Sequence, residues 1–288
     1  MPDLRGTGST RGPRRHPPRR PGPDSACGGL ALLAADFRLV CTVAAAVFAA
    51  LTLLQWRALP ARRRLPEDTG TGGVLAQWRA IVANRPFLLF SAAMIGSYVL
   101  TFQVYLALPL AAADALGAEG TAATSALFVI SAAVAVVGQL RLTGWAKNRW
   151  QSGQALVRGL TVMGLAFVPL ALCPRGSSAA VLASLVVAVV LLAAGSAIVY
   201  PFEMDTVVAL SGDRLVATHY GLYNTVSGLG VTLGNLGTGA LWDIAARHDA
   251  AWLPWTALTV TGAACATAVA ALARTGRLTT PQPRLAPV

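Results

Sequence analysis

The chain has 288 residues, of which 55% are hydrophobic and only 12% are charged, and its formal net charge is +11. This composition excludes an ordinary water-soluble domain. The basic residues lie in loops, where they favour anionic lipid as the partner and not a folded nucleic-acid-binding face. The apolar runs do not alternate with polar residues as barrel strands do, and a helix needs roughly 20 apolar residues to cross a bilayer. The sequence therefore predicts an all-α polytopic membrane protein.

Seven apolar runs are long enough to span a membrane, and short polar linkers separate most of them. We place the spans at residues 36–57, 86–110, 122–141, 155–173, 179–204, 221–244 and 252–273. The linker 58–85 is longer and holds the run Arg62-Arg63-Arg64. Near its end, Leu75, Trp78, Ile81 and Val82 recur at helical spacing, which predicts a short amphipathic helix at the membrane surface.

Lysine and arginine are distributed unequally between alternate loops. One set of loops holds 14 of these residues and the other set holds two. The bias predicts a multi-pass protein of the cell (inner) membrane, with the linker 58–85 and the C-terminus in the cytoplasm. Residues 1–27 form an Arg- and Pro-rich tail that we expect to be disordered. Its arginines oppose the outside location that seven spans require of it.

Polar residues recur on one face of the second predicted span. Ser91, Tyr98, Thr101 and Tyr105 follow helical spacing, whereas Gln103 lies off this face. Polar groups within a span usually face a protein interior or a water-filled cavity. Tyrosines near span ends also form interfacial belts, but Tyr98 lies near the middle. We therefore expect Tyr98, Thr101 and Tyr105 to line a substrate pathway.

The sixth predicted span carries two adjacent stripes. One contains Asn224, Gly228, Val231, Asn235, Thr238 and Trp242. The other contains Gly230, Gly234 and Gly237, which we expect to be helix-packing positions, because small residues let helices approach closely. Asn224 and Asn235 are either interhelical hydrogen-bonding groups or contacts to a substrate, and the sequence leaves both readings open.

The fifth predicted span ends in a proline and two carboxylates. Pro201 should kink the helix, since it lacks a backbone donor. Glu203 and Asp205 are candidates for proton binding or for an ion pair with Arg214 or another loop arginine. The scattered cysteines and histidines predict no metal site, and no cofactor motif or nucleophile–base pair is discernible. We therefore do not expect an enzyme.

The stretch from Asp213 to Asp243, which runs DRLVATHYGLYNTVSGLGVTLGNLGTGALWD, resembles the loop and eleventh helix of major facilitator superfamily transporters of the drug:proton antiporter branch. The resemblance covers about 36–275 and makes the seven spans helices six to twelve. It implies one six-helix half-bundle, 86–275, preceded by one extra transmembrane helix. The region 28–57 would hold a remnant of helix five and that extra helix, and 276–288 would be a cytoplasmic tail.

The resemblance also implies a function. It predicts a transporter, with proton-coupled efflux of small lipophilic or drug-like molecules, that is N-terminally truncated and inactive unless it pairs with itself or with a separate N-terminal half. A family loop motif maps onto Gly138, although Leu142 stands at its acidic position. By this mapping the cytoplasmic gate comprises Gly138, Arg141, Lys147, Arg149, Asp213 and Arg214. A seven-span receptor or scaffold without transport activity is the alternative.

Overall fold

The computed structural model describes residues 41–43, 45–58, 74–174, 177–212 and 215–278. It consists of two units, 1–69 and 70–288. In the first unit one helix is described, α1 (Cys41–Ala58), and it is long and apolar enough to cross a membrane. The predicted tail 1–27, the remnant 28–35 and residues 279–288 of the predicted tail 276–288 lie outside the described residues.

The second unit is a helical bundle, and no strand occurs in its described part. The helices are α2 (Val74–Ala83), α3 (Arg85–Phe102), α4 (Ala107–Leu116), α5 (Gly120–Arg149), α6 (Ser152–Leu165), α7 (Val168–Ala171), α8 (Ser178–Ser211), α9 (Val216–Arg247) and α10 (Leu253–Arg274). A short 3₁₀ turn, Gly117–Glu119, lies between α4 and α5. The prediction of an all-helical membrane protein is confirmed.

Six helical stretches in the described residues have both the length and the apolar composition of a membrane span, where the sequence predicted seven. They are Cys41–Ala58, Arg85–Leu116, Gly120–Arg149, Ser152–Ala171, Ser178–Ser211 and Leu253–Arg274. The remaining predicted span, 221–244, lies within α9, which has 32 residues and is therefore long enough. It falls short in apolar character because glycine, threonine and asparagine take the place of larger apolar residues along it.

Short connections join the long helical stretches, so consecutive stretches run in opposite directions, with α3 and α4 counted as one stretch and α6 and α7 as another. We call one end of the bundle the Lys147 end, where α3, α6 and α9 begin and α5, α8 and α10 end. We call the opposite end the Trp252 end, where α5, α8 and α10 begin. The helices α6, α8 and α10 pack closely, and Gly164 faces Gly262 so tightly that a Cβ on Gly164 would lie 3.1 Å from the Gly262 Cα.

The helix predicted over 86–110 is interrupted. It ends as α3 at Phe102, turns through 103–106, and resumes as α4. Pro109, in the first turn of α4, explains the break, since proline has no N–H for the Tyr105 carbonyl and its ring would clash with that carbonyl in a continuous helix. In the turn, the Leu108 N–H instead bonds the Gln103 carbonyl at 3.1 Å. The break changes which side chains share a face.

Candidate functional site

A buried carboxylate lies between α8 and α9. Glu203 is only 2% exposed, and the hydroxyl of Tyr223, which is completely buried, donates a hydrogen bond to its Oε1 atom. The Tyr98 hydroxyl on α3 also interacts with the Glu203 carboxylate. A carboxyl group in an apolar interior is costly unless it is hydrogen-bonded, and Tyr223 supplies one such bond. We call Glu203, Tyr223 and Tyr98 the Glu203 cluster.

Aromatic rings enclose this cluster. The Tyr98 ring meets the Tyr223 ring edge-on, with centroids 6.0 Å apart, and Phe90 stacks on Tyr223 at 6.3 Å. One turn before Tyr223, the His219 ring packs edge-on against Phe87 at 4.8 Å. These contacts join α3 to α9 and leave Glu203 in a closed, apolar environment. Tyr223 was not among the residues predicted from the sequence to form the site, whereas its neighbour Asn224 was.

The second carboxylate of α8 points elsewhere. Because successive helical residues are about 100° apart, Glu203 and Asp205 face different neighbours. Asp205 forms an ion pair with Lys147 of α5, with Nζ and Oδ2 3.1 Å apart, and both side chains are about half exposed. The sequence suggested an arginine as the partner, and the structure pairs Asp205 with the lysine of the predicted gate. Asp213 and Arg214 lie outside the described residues.

Pro201 lies inside α8, which continues through it as one helix. Proline lacks the N–H that would bond the carbonyl four residues earlier, which is that of Ala197. Thr143 of α5 donates its Oγ1 hydrogen to this carbonyl at 3.0 Å. In apolar surroundings a backbone carbonyl needs such a partner, and side-chain hydroxyls of neighbouring helices provide it. Thr143 thereby supports α8 just before the Glu203 cluster.

Two of the predicted pathway residues lie at contacts between helices. The Thr101 hydroxyl is 3.3 Å from that of Ser196 on α8, and the Asn235 amide oxygen accepts from Gln103 Nε2 at 3.3 Å. Gln103, which the sequence placed off the polar face, is fully buried, and its Oε1 atom has no hydrogen-bond partner in the described part of the chain. Its burial follows from the turn at 103–106.

The other predicted pathway residues lie apart from the Glu203 cluster. Tyr105 is 67% exposed and stacks on Phe128 of α5 at 5.6 Å, because the break between α3 and α4 turns it away from Tyr98. The structure therefore does not bring Tyr98 and Tyr105 onto one surface. Asn224 is exposed, since its neighbour Tyr223 occupies the buried side of α9.

The glycines of α9 differ from one another. A Cβ on Gly230 would collide with Ile95 of α3, and one on Gly234 would lie 2.6 Å from Val99. Both glycines therefore let α9 approach α3 closely. Gly237 has no heavy atom of another residue within 4 Å of such a Cβ in the described part of the chain, so it lies against no other helix there.

The remaining gate residues lie on α5. The side chain nearest to a Cβ on Gly138 would be that of Leu142 on the same helix, at 3.2 Å, and Arg141 is exposed. The Arg149 guanidinium lies 5.6 Å from the Trp145 ring centroid. Within the described residues, no three His, Cys, Asp or Glu side chains are close enough to bind a metal ion.

Asn84 makes a contact that the sequence did not indicate. Its Oδ1 atom accepts from the Phe87 N–H at 3.3 Å and so caps the start of α3. Its Nδ2 atom donates to the Leu210 carbonyl in the last turn of α8 at 2.9 Å. One side chain therefore holds two helix ends together at the Lys147 end. The signal available in the sequence is an asparagine directly before Arg85-Pro86, a usual pattern for a helix start.

Long apolar helices with paired polar groups between them define a polytopic helical membrane protein. The chain belongs to the Major Facilitator Superfamily, whose family model matches residues 25–235. It is 46% identical over 237 residues to an uncharacterized MFS-type transporter of Mycobacterium tuberculosis, covering 81% of this chain and 56% of the relative. The resemblance inferred from the sequence is confirmed, and the family is one of transporters, not enzymes.

Other relatives are named multidrug resistance protein MdtH. The protein of Edwardsiella ictaluri is 30% identical over 233 residues, 80% of this chain and 55% of the relative. That of Sodalis glossinidius is 28% identical over 245 residues, 83% of this chain and 58% of the relative. The chain thus spans little more than half the length of the curated relatives it matches. No solved structure matches it significantly.

Proposed function

We propose that this chain forms helices six to twelve of a proton-coupled transporter that exports small lipophilic or drug-like molecules. The observation that carries the proposal is the buried Glu203 carboxyl, hydrogen-bonded by Tyr223 from the next helix. Ionisable groups inside a membrane bundle are costly, and they mark substrate or proton pathways. The MdtH relatives, which are named for multidrug resistance, support the choice of drug-like substrates. Family membership favours a transporter over the receptor or scaffold alternative.

The cluster suits a proton-binding role because three helices contribute to it. When Glu203 is protonated, its neutral carboxyl can remain among the rings of Tyr98, Tyr223 and Phe90. When it loses the proton, the charge requires water or a cation, which this closed environment does not supply. Deprotonation therefore favours a separation of α8 from α9 that lets water reach the carboxylate. A change of charge thus becomes a change of helix packing.

We further propose that the substrate passes beside this cluster, along Tyr98, Thr101 and Asn235, whereas Tyr105 and Asn224 lie apart from the cluster and outside this path. The Lys147 end faces the cytoplasm in this proposal, because Arg85, Arg149 and Arg274 lie there at the ends of α3, α5 and α10. The gate at this end contains the Lys147–Asp205 ion pair, which joins α5 to α8. An exposed pair of this kind is worth at most about 1 kcal/mol, so it can open during each transport cycle.

The proposed function requires a second half. Large apolar side chains are exposed along α5 and α9, including Val129, Val136, Val137, Leu140, Leu229, Leu233 and Leu236. In secondary transporters of this kind, the substrate binds between two halves of the protein, and the halves rock against each other. We propose that these faces contact a second copy of the chain or a separate N-terminal half, and that the chain alone does not transport.

The test is reconstitution in liposomes with a proton gradient, using ethidium as the transported probe. The chain is compared alone and together with the N-terminal half of the Mycobacterium tuberculosis relative, expressed separately. We expect proton-driven transport only from the combination. Glu203→Gln should abolish it, whereas Glu119→Gln, which removes an exposed carboxylate outside the proposed pathway and gate, should retain most of it. Full transport by Glu203→Gln, or equal activity of the chain alone, would contradict the proposal.

A further inference from the structure

A cavity of about 670 Å³ opens at the Trp252 end of the bundle. Five helices contribute to it, namely α4, α7, α8, α9 and α10, and none of the Glu203 cluster lines it. Its volume is that of a small-molecule site, which typically measures roughly 300–1,000 Å³. All of its lining residues belong to the second unit, and none of them is a predicted pathway residue.

Three of the chain's seven tryptophans line this cavity, namely Trp242, Trp252 and Trp255. The rings of Trp242 and Trp255 meet edge-on at 5.5 Å, and Trp255 in turn stacks on Phe167 at 6.3 Å. These contacts hold two indoles in fixed positions. Trp252 is 51% exposed and can adjust to a bound molecule. Among side chains, the indole face attracts cations most strongly.

The charge of the lining matches this preference. Asp114 of α4 contributes a carboxylate, and no lysine or arginine occurs among the described residues that line the cavity. The rest of the wall is mainly alanine, leucine, valine and proline. A ligand that matches this lining carries a positive charge for the carboxylate and the indoles. It needs few hydrogen bonds, and apolar groups surround its charge. A substituted ammonium group has these properties.

We propose that the cavity at the Trp252 end binds substituted ammonium groups with apolar substituents, separately from the proposed transport pathway. Asp114 supplies the negative charge, and the indoles of Trp242, Trp252 and Trp255 surround the alkyl or aryl substituents. The ammonium group belongs either to a dissolved organic cation or to the headgroup of a zwitterionic lipid. Both sources share the chemistry that the cavity recognises.

The test is calorimetric titration of the full chain in nanodiscs made only of phosphatidylglycerol, which has no ammonium group. The probes are benzyltrimethylammonium and its neutral isostere neopentylbenzene. We expect the cation to bind at least about tenfold more tightly than the isostere. Asp114→Asn and Trp252→Leu should each weaken cation binding about three- to tenfold, since cation–π and exposed charge contributions are of this size.

Matched variants separate this site from others. Glu119→Gln removes a charge at the same end outside the lining, and Trp145→Leu removes a half-exposed indole at the opposite end, so neither should change binding. Glu203→Gln should also leave it unchanged. A loss of apparent affinity in nanodiscs that contain phosphatidylethanolamine would assign the site to a lipid headgroup, and unchanged affinity would assign it to dissolved cations. Equal binding of the neutral isostere, or full binding by Asp114→Asn and Trp252→Leu, would overturn the proposal.

Discussion

Thr143 replaces the hydrogen-bond donor that Pro201 removes from α8. Its hydroxyl lies 3.0 Å from the carbonyl of Ala197, four residues before the proline, and the two residues are on different helices. A polar side chain of α5 is therefore matched to a defect in the backbone of α8. This relationship predicts that the two residues are energetically coupled.

Thr143→Val keeps the shape of the side chain and removes the hydroxyl, which leaves the Ala197 carbonyl without a donor. We expect a loss of about 1–2 kcal/mol in unfolding free energy, measured by thermal unfolding in detergent. In a Pro201→Ala background the new backbone N–H can bond Ala197, so Thr143→Val should cost less than half as much there. Thr143→Ser should restore stability.

Thr161→Val is the matched control for this prediction. The Thr161 hydroxyl is exposed and bonds the carbonyl of Val157 within its own helix, so its removal should change stability little in either background. Equal costs of Thr143→Val with and without Pro201 would show that the two residues are not coupled.

Tyr223→Phe removes the only hydroxyl that the hydrogen-bond geometry assigns to Glu203 in the described residues, while it keeps the packed ring. The buried carboxyl then has fewer partners, and we expect the protein to lose about 1–3 kcal/mol of stability. Tyr200→Phe removes a hydroxyl from an exposed ring on α8 and should have little effect. Thermal unfolding distinguishes the two variants, and a neutral Tyr223→Phe would show that Glu203 does not depend on α9.

The glycines of α9 predict a graded response to alanine. Gly230→Ala and Gly234→Ala place a methyl group against Ile95 and Val99 of α3, so each should destabilise the bundle by about 1–3 kcal/mol through overpacking. Gly237→Ala meets open space and should be neutral or slightly stabilising, because alanine favours a helix over glycine. A similar loss at all three positions would mean that α9 does not pack on α3 through this face.

The proposed topology can be tested with single cysteines in a cysteine-free background. Asn148 is exposed at the Lys147 end, and Glu119 is exposed at the Trp252 end. In intact cells, a membrane-impermeant maleimide should label Glu119→Cys and leave Asn148→Cys unmodified until the cells are permeabilised. The reverse pattern would place the arginine-rich loops outside the cell.

Much of the fold could be predicted because long apolar runs with short polar linkers leave few alternatives to membrane helices. The site was harder. The polar face of the second predicted span assumed an unbroken helix through Tyr105, but Pro109 breaks it, and Tyr105 and Gln103 exchange environments. The effect of a proline in the first turn of a new helix depends on where that helix begins, which periodicity alone does not determine.

A shift of one residue along α9 explains the other difference. Along α9, Asn224 is the residue expected to face the protein interior, because polar groups within a span usually do so, but the buried partner of Glu203 is Tyr223. One residue corresponds to about 100° of rotation, so the choice of face depends on which neighbour needs a donor. Glu203 and Tyr223 lie on different helices. No pattern within either helix encodes their contact, just as none encodes that of Thr143 with Ala197.

The two hydrogen bonds of Asn84 have a mechanical consequence. The same side chain caps α3 and bonds the Leu210 carbonyl, and Leu210 lies about two helical turns beyond Glu203. A pull on the segment just before α3 is therefore transmitted to the last turn of α8. Asn84 therefore ties the start of α3 to the end of the helix that carries Glu203, so a shift of either helix end is resisted by the other.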